Sequence, residues 1–509
     1  MAVSTRKSRM AVVEESTAGT LLAPSSAGDY IALQDGFSLV PAFDALDNAE
    51  LKASIGKSKS IQGLEQPSGS LSHYVYHSGT EGAAPEIDLL LKSAMGASSV
   101  ASTEYDTVSS STAGTATAAA VIKVNTGEGA TFERGESLLI KDSTNGYSIR
   151  PIASISSDDL TLGFNLPGAP ASGVNLGKAV LYKPDDSSHP SLSVWDYRGN
   201  GGAIQAVAGC KVTEMSIEAE AGGFINASFS MDGLKYYFNP VEITSSTRYL
   251  DFTDSDGTWA AAVATGWYRD PHELAAAVQT AMQAANSGET PTVTYSDSTG
   301  KYTIKTTNTT LSLLWNTGTN AANTIATKLG FSAAANSTGT AATTGYTSAN
   351  AYTLTSPQTP SLDGQDPLVA KDNNVFLGDF ADNVCFGAQT LTCTLSNDIV
   401  GIKDICEVSG QASKVVNGRT VTVEVTATLA SYDVDKFKRF RANEETSFFY
   451  AFGPKSGGNY VAGKCGSLYI PRCTITSFEV VDTDGVVALN MGLQAYVSSS
   501  EGEFFVNFL

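Results

Sequence analysis

Residues 473–485 read CTITSFEVVDTDG, and residues 210–222 read CKVTEMSIEAEAG. Cys opens each stretch and Gly closes it. Apolar residues fall at the same offsets, Val212 with Ile475, Met215 with Phe478 and Ile217 with Val480, and Thr213 matches Thr476. The two stretches lie 263 residues apart (473 − 210). Each reads as a half-buried β-strand, so the surroundings decide whether the chain is duplicated.

The surroundings repeat in order. SFFYAFGPKSGGNYVAGKCGSLYIPR precedes Cys473 and SLSVWDYRGNGGAIQAVAG precedes Cys210, each an aromatic strand followed by a turn with a Gly pair, Gly457–Gly458 or Gly201–Gly202. Further back, GRTVTVEVTATL (418–429) alternates Val421, Val423, Val425, Ala427 and Leu429 with polar residues, and GSLSHYVYH (69–77) alternates more loosely. A helix follows each. PEIDLLLKSAMG places Pro85 in its first turn and ends at Gly96, with Ile87, Leu90, Leu91 and Ala94 on one face. SYDVDKFKRFR spaces Val434, Phe437 and Phe440 by three, acids early and bases late, as the helix dipole favours.

The spacing between these elements differs. From Gly96 to Cys210 is 114 residues (210 − 96), and from Arg441 to Cys473 is 32 (473 − 441), an excess of 82 (114 − 32). Residues 105–185 fit an insertion there: a Ser/Thr/Ala-rich opening, then short strands separated by GEG, NG, DD and PGAP turns, as in a small β-barrel or sandwich. A second extra piece, 241–355, holds the strands RYLDFTD and TVTYSDSTGKYTI. It also holds the helix PHELAAAVQTAMQAA, with Leu274, Val278 and Met282 at helical spacing, and has Thr/Ser/Gly/Pro-rich flanks.

Composition limits the function. The chain has 509 residues, 42% hydrophobic but only 17% charged, with Ser, Thr, Gly and Ala filling the difference, a mix that suits strands and turns. With 52 acidic and 32 basic residues the net charge is −20, which repels nucleic acid. The one basic cluster, RKSR from Arg6 to Arg9, reads as a solvated tail. No apolar segment follows it, so no secretory signal is read, and no apolar run reaches membrane-spanning length. The expected location is a cytoplasm, or release without such a signal.

No catalytic, cofactor or metal site is expected. HExxH, GxSxG, a P-loop and a strand-bound GxGxxG are all lacking. His73 and His77 are four apart on a strand, too far for easy ligation of one metal. DSDG (254–257) and DTDG (482–485) read as Asx-type turns, since the full calcium-loop spacing is missing. The six Cys, at 210, 385, 393, 406, 465 and 473, form no CxxC pair; they read as buried thiols, with a Cys465–Cys473 disulfide left open.

Several stretches together resemble the tail tube (major tail) proteins of long, non-contractile-tailed bacteriophages. VVEESTAGTLLAPSSAGDYIAL (13–34) resembles the arm leading to the first strand, and ELKASIGKSKSIQGLEQPSGSLSHYV (50–75) the long loop and following strand. PEIDLLLKSAMG matches the family's short helix. AGCKVTEMSIEAEAGGFINASFSMDGLKY (208–236) and IPRCTITSFEVVDTDGVVALNMGLQAYV (470–497) resemble its closing hairpin in two copies. The resemblance implies a mainly β fold: two tandem tail-tube-like β-sandwich or barrel domains, each with one short helix, plus an inserted small β-barrel and an inserted α+β module.

The expected layout is an N-terminal arm (1–24), tube domain 1 in two parts (25–104 and 186–240) around the inserted small β domain (105–185), the inserted α+β domain (241–355), a linker (356–374) and tube domain 2 (375–509). The resemblance further implies a virion structural protein that is not an enzyme and is assembled in the host cytoplasm. Its rings stack into the tail tube through which the genome is ejected. Two copies per chain imply homotrimeric rings with pseudo-sixfold symmetry. Tape-measure, tail terminator and distal tail proteins are the implied partners, DNA passes without specific binding, and no membrane is entered. A capsid decoration or tail-tip protein, or a carbohydrate-binding β-protein, is the alternative.

Overall fold

The structure, a computed structural model, describes residues 5–50, 56–101, 103–108, 119–199, 201–288, 290–339, 343–360, 366–378, 387–428, 434–483, 485–497 and 502–509. Cys385 and Leu429 lie outside them. The fold is mainly β with three α-helices among the described residues. It divides into two compact units. One comprises Met1–Met10, Val194–Val207 and Lys235–Gln358; the other comprises Ala11–Ser193, Ala208–Leu234 and Thr359–Leu509.

Alternation of apolar and hydroxyl residues builds the centre of the larger unit. Its main sheet has eight antiparallel strands: β1 (Ser38–Val40), β2 (Ser68–Tyr74), β3 (Ala203–Glu220), β4 (Asn226–Asp232), β5 (Ala388–Lys403), β6 (Gln411–Thr428), β7 (Gly466–Thr483) and β8 (Val486–Ala495). Within this unit β3 contributes from Ala208 onward. The spatial order is β1-β2-β4-β3-β5-β6-β8-β7. Val421, Val423, Val425 and Ala427 are buried as their period of two requires, and Phe229, Met231, Leu489, Met491 and Leu493 lie in the same core.

The first four strands in that order share their registers with the last four. Leu39 pairs with Gly69 in β1–β2, and Cys393 with Val423 in β5–β6, both residues shifted by 354 (393 − 39; 423 − 69). Leu71 faces Phe229 and Phe229 faces Met215; Val425 faces Met491 and Met491 faces Phe478. The match extends into the hairpin beyond β1, formed by strands Phe43–Leu46 and Ile61–Glu65. There Phe43–Glu65, Ala45–Gln62 and Leu46–Ile61 correspond to Asn397–Arg419, Ile399–Val416 and Val400–Val415 under the same shift.

Even the irregularities coincide. The register of β3 on β4 slips between Val212 and Glu214, and that of β7 on β8 between Ile475 and Ser477. Thr213 and Thr476 are the extra residues of two β-bulges. A bulge resets the alternation, which is why Val212 and Met215, three apart, are both buried.

Helix α1 (Asp88–Met95) follows β2, and α3 (Val434–Ala442) follows β6. Leu90, Leu91, Ala94 and Met95 of α1 are buried, and the Tyr182 hydroxyl donates to Asp88 Oδ1 at 2.7 Å. Gly96 ends α1 with φ +107°, and a Cβ there would stand 2.6 Å from the Asp185 carbonyl oxygen, so only Gly fits. Asn443 closes α3 in the same left-handed region, at φ 50°.

A second sheet runs Gly96–Val100, Val180–Pro184, Phe505–Phe508, the first part of β7, Thr446–Phe452 and Asn374–Gly378. Val180–Pro184 falls inside the span expected for the small insertion, yet it pairs on both edges with this sheet. Tyr105 to Leu176 make the separate six-stranded sheet, around Ile122, Leu138, Ile152 and Leu160. Its Leu139, Ile149 and Phe164 pack with Phe376, Phe449, Tyr469 and Phe505, and Asn507 donates to the Gly135 carbonyl at 3.1 Å. This module therefore shares a core with the strands beneath it, which short polar turns in the sequence did not reveal.

The region expected as an N-terminal arm is also tied in. Arg9–Glu14 is a strand with Met10, Ala11 and Val12 buried. The buried Glu15 carboxylate accepts from the Gly19 and Gly209 amides and from the Ser191 and Ser193 hydroxyls, at 2.7–2.9 Å.

In the other unit, α2 (Pro271–Ala285) has Pro at its start and Asp270 as N-cap, accepting from the Glu273 amide at 2.9 Å. Leu274, Val278 and Met282 join Leu250, Phe252, Tyr302, Ile304 and Trp315 in a core of its own. The Tyr352 hydroxyl donates to the Pro240 carbonyl at 2.8 Å, so the ends of this module meet.

Candidate assembly surface

One face of the eight-stranded sheet is apolar and buried; the other is polar. Because paired residues share a face, the polar side chains form rows across both halves of the sheet. One row runs Tyr74, Asn226, Glu218, Thr392, Glu424, Gly492 and Ser477. The next runs Glu220, Thr390, Thr426, Asn490 and Glu479. The two rows on the other side, through Ser216 and Glu214, are Ser, Thr and Gln apart from Glu214. No Lys or Arg occurs in these four rows. Short side chains tie neighbours together, Ser38 to Ser70 at 3.0 Å and Ser72 to Ser228 at 3.3 Å.

The two halves meet inside the chain where β3 pairs β5, from Glu214 with Ser396 to Glu220 with Thr390. Met215 and Ile217 are buried there. Asn397 Nδ2 donates to the Ala94 carbonyl of α1 at 2.9 Å and to the Val212 carbonyl at 3.0 Å. That side chain binds one half's hairpin to the other half's helix and strand.

The outer strands end differently. Among the described residues no strand pairs the outer edge of β1 or of β7 from Ser477 to Thr483. Large apolar side chains are exposed beside them: Val40 and Phe43 at one end, Val480, Val434 and Phe437 at the other. The hairpins beyond β1–β2 and β5–β6 also carry exposed apolar residues, Leu46 and Ile61 on one, Ile402, Ile405 and Val408 on the other. The hairpins touch: the Glu65 amide donates to the Ser409 carbonyl at 3.1 Å, and Gln411 Nε2 to the Glu65 carbonyl at 3.0 Å. A monomer that leaves strand edges and apolar tips open is built to be covered by something.

The residues weighed for chemistry serve other ends. His73 is buried with Nε2 2.8 Å from Glu86 Oε2, a carboxylate that also accepts from the Ala32 amide. Burial, reinforced by the Lys464 charge, holds His77 below the usual histidine range. Asp254 accepts from the Asp256 and Gly257 amides, Trp259 and Asn286, so DSDG is a closed turn, and Asp482 accepts from the Gly485 amide in the same way. Cys465 and Cys473 are separate free thiols, donating to the Val461 and Thr446 carbonyls; burial pushes the Cys465 thiol up to about 12. Among the described residues no group of three or more His, Cys, Asp and Glu could hold a metal ion, and no helix is long and apolar enough to cross a membrane.

A sheet with a polar face, apolar tips and two open edges is the equipment of a structural subunit. Residues 5–266 match the family model described as phage tail tube protein. The chain belongs to the phage tail tube protein family, and is a structural protein of a virion tail. That family is not a class of enzymes. Comparison with curated protein sequences returned no match. Among solved structures, a chain from the virion of a native gene transfer agent particle is similar at 13% identity, over 26% of this chain and 95% of that one, with a TM-score of 0.18. At that score the likeness carries no argument.

Proposed function

We propose that the chain self-assembles into stacked rings that form the tube of a long, non-contractile tail, and that the polar sheet face lines its channel. The observation that carries this reading is the run of four cross-sheet rows, through both halves, made of Ser, Thr, Asn, Gln and Glu apart from Tyr74 and Gly492, without a cation. Duplex DNA carries one negative charge per about 1.7 Å of axis, and binds proteins chiefly through Lys and Arg. A wall that is neutral or acidic gives the phosphates nothing to hold, so the genome slides through on ejection.

The coincident registers of the two halves support a duplicated chain that fills two places of the ring, so that three chains give pseudo-sixfold symmetry. The domain layout set out from the sequence is kept with three changes: the small insertion ends before Val180, residues 11–15 belong to the larger unit rather than to a free arm, and residues 194–207 and 235–240 go with the compact unit that holds the α+β module. The hairpin tips near Leu46 and Ile405 then reach the next ring. Tape-measure, terminator and distal tail proteins meet the tube at its bore and two ends, and assembly takes place in the host cytoplasm. Electron microscopy of the concentrated protein tests this. Stacked rings of three chains with six lobes are expected; rings of six chains would undo the two-places reading, and small closed oligomers that never stack would overturn the tube.

A further inference from the structure

The chain holds one filled seam and half of each of two open ones. We propose that the outer edge of β7 pairs with β1 of a second copy of the chain, antiparallel, with Val480 opposite Leu39 and Glu479 opposite Val40. The inference rests on the ring reading above and adds the edges and the register.

The register follows from the filled seam. There Ile217 pairs with Cys393 and Ser216 with Thr394. The strand equivalent to β3 is β7, shifted by 263 residues (480 − 217), and that equivalent to β5 is β1, shifted back by 354 (393 − 39). Applying both shifts turns the β3–β5 ladder into one joining Ser477–Thr483 to Ala42–Gly36. A one-residue slip would turn every side chain to the wrong face, so the register is tightly set.

Three observations agree. First, burial differs as a filled and an empty seam should. Ile217 is 2% exposed under β5, whereas its counterpart Val480 is 57% exposed. Second, the complementary edge is apolar and open. Phe43 occupies the place of Asn397, the residue that reaches the last turn of α1. On the open seam this sets the Phe43 ring beside α3, whose exposed Phe437 and last-turn Phe440 both pack on Phe478, at 5.5 and 6.0 Å between ring centroids. Third, the charges match. Helix α3 carries Lys436, Lys438, Arg439 and Arg441, and the segment around Phe43 carries Asp44, Asp47 and Glu50. Such a seam is head-to-tail, so it propagates and closes a ring when the rotation allows.

The test uses full-length protein with the exposed Cys406 replaced by Ser, carrying either Val40→Cys with Glu479→Cys or the slipped pair Val40→Cys with Val480→Cys. All three engineered positions are exposed, so the fold is not at stake. After assembly and mild oxidation, the first pair is expected to give disulfide-linked oligomers on a non-reducing gel, and the slipped pair roughly tenfold less. In unmodified protein, amide exchange over 36–42 and 477–483 slows on assembly. Assemblies in which the slipped pair links as well as the first, or in which those amides stay unprotected, overturn the register and leave the ring reading standing. Chains that stay monomeric when concentrated overturn both.

Discussion

Ile217 and Val480 stand at the same point of two strands with matching pairings, one under a neighbouring strand and one facing solvent. The same substitution should therefore act on different properties at the two sites. Ile217→Asp buries a charge in the filled seam and is expected to destabilise the larger unit by about 3 kcal/mol or more, read as a lower unfolding midpoint. Val480→Asp leaves that midpoint within about 0.5 kcal/mol of the parent, because the side chain is exposed in the monomer. It abolishes assembly as followed by sedimentation. Equal loss of midpoint at both sites would show that the edge is already covered within one chain.

Asn397 is the only side chain seen to join the second hairpin to both Ala94 and Val212 among the described hydrogen bonds. Asn397→Ala strands two buried carbonyl groups. The expected cost is about 1–3 kcal/mol, measured by urea unfolding, without change in the charge of either half. Asn397→Asp should cost more, because a carboxylate cannot donate to either carbonyl.

Glu136 gives a pH signature. Burial, with the neighbouring Glu133 charge adding to it, pushes its carboxyl up to about 7, well above the 4.5 of a free glutamate side chain. An acid whose folded value lies above its unfolded value favours the folded state when protonated. Its contribution is therefore full below pH 4.5 and falls away as pH rises through 7. Glu136→Gln should raise the unfolding midpoint at pH 8, by up to about 3 kcal/mol, and make no such difference at pH 4. A variant that gains nothing at pH 8 would place Glu136 in contact with solvent.

The polar face predicts its own failure. Replacing Thr392 and Thr422 by Lys adds cations to rows that have none, at residues whose side chains point away from the core. Assembly is expected to persist. The resulting particles should retain duplex DNA at low salt and release it as salt rises, with a slope that grows with each Lys. Unmodified particles should retain none.

The two extra modules should tolerate removal unequally. The core of the module from Val241 to Tyr346 is its own, and the Tyr352–Pro240 hydrogen bond brings its ends together. Replacing 241–351 by a short Gly/Ser linker should leave assembly intact by electron microscopy. Removing 105–176 instead bares Phe376, Phe449, Tyr469 and Phe505, and should give insoluble protein.

The repeated strand was legible because its apolar offsets, including the three-residue step from Val212 to Met215, survive in both copies. That step is the bulge, a signal present in the sequence but unreadable without the partner strand. The helices from Asp88 and Pro271 were legible from period, Pro and Gly. The sharing of Phe164 with Phe376 and Phe449 was not, because an aromatic residue in a short strand looks the same whether it faces its own sheet or another. Nor was the fate of residues 9–15: a lone VV beside two Glu reads as a polar arm until Ser191, Ser193 and Gly209 surround Glu15. The open edges were invisible for the simplest reason, that edge and centre strands of this sheet share one alternation.

The β3–β5 ladder has a kinetic consequence. It forms within a single polypeptide, so its partners meet at the effective concentration of a tether rather than that of free molecules. In the proposed three-chain ring half the joints are thus made during folding and do not depend on how much protein the cell has produced. Only the other half wait for encounters in solution, and those alone can set when polymerisation begins.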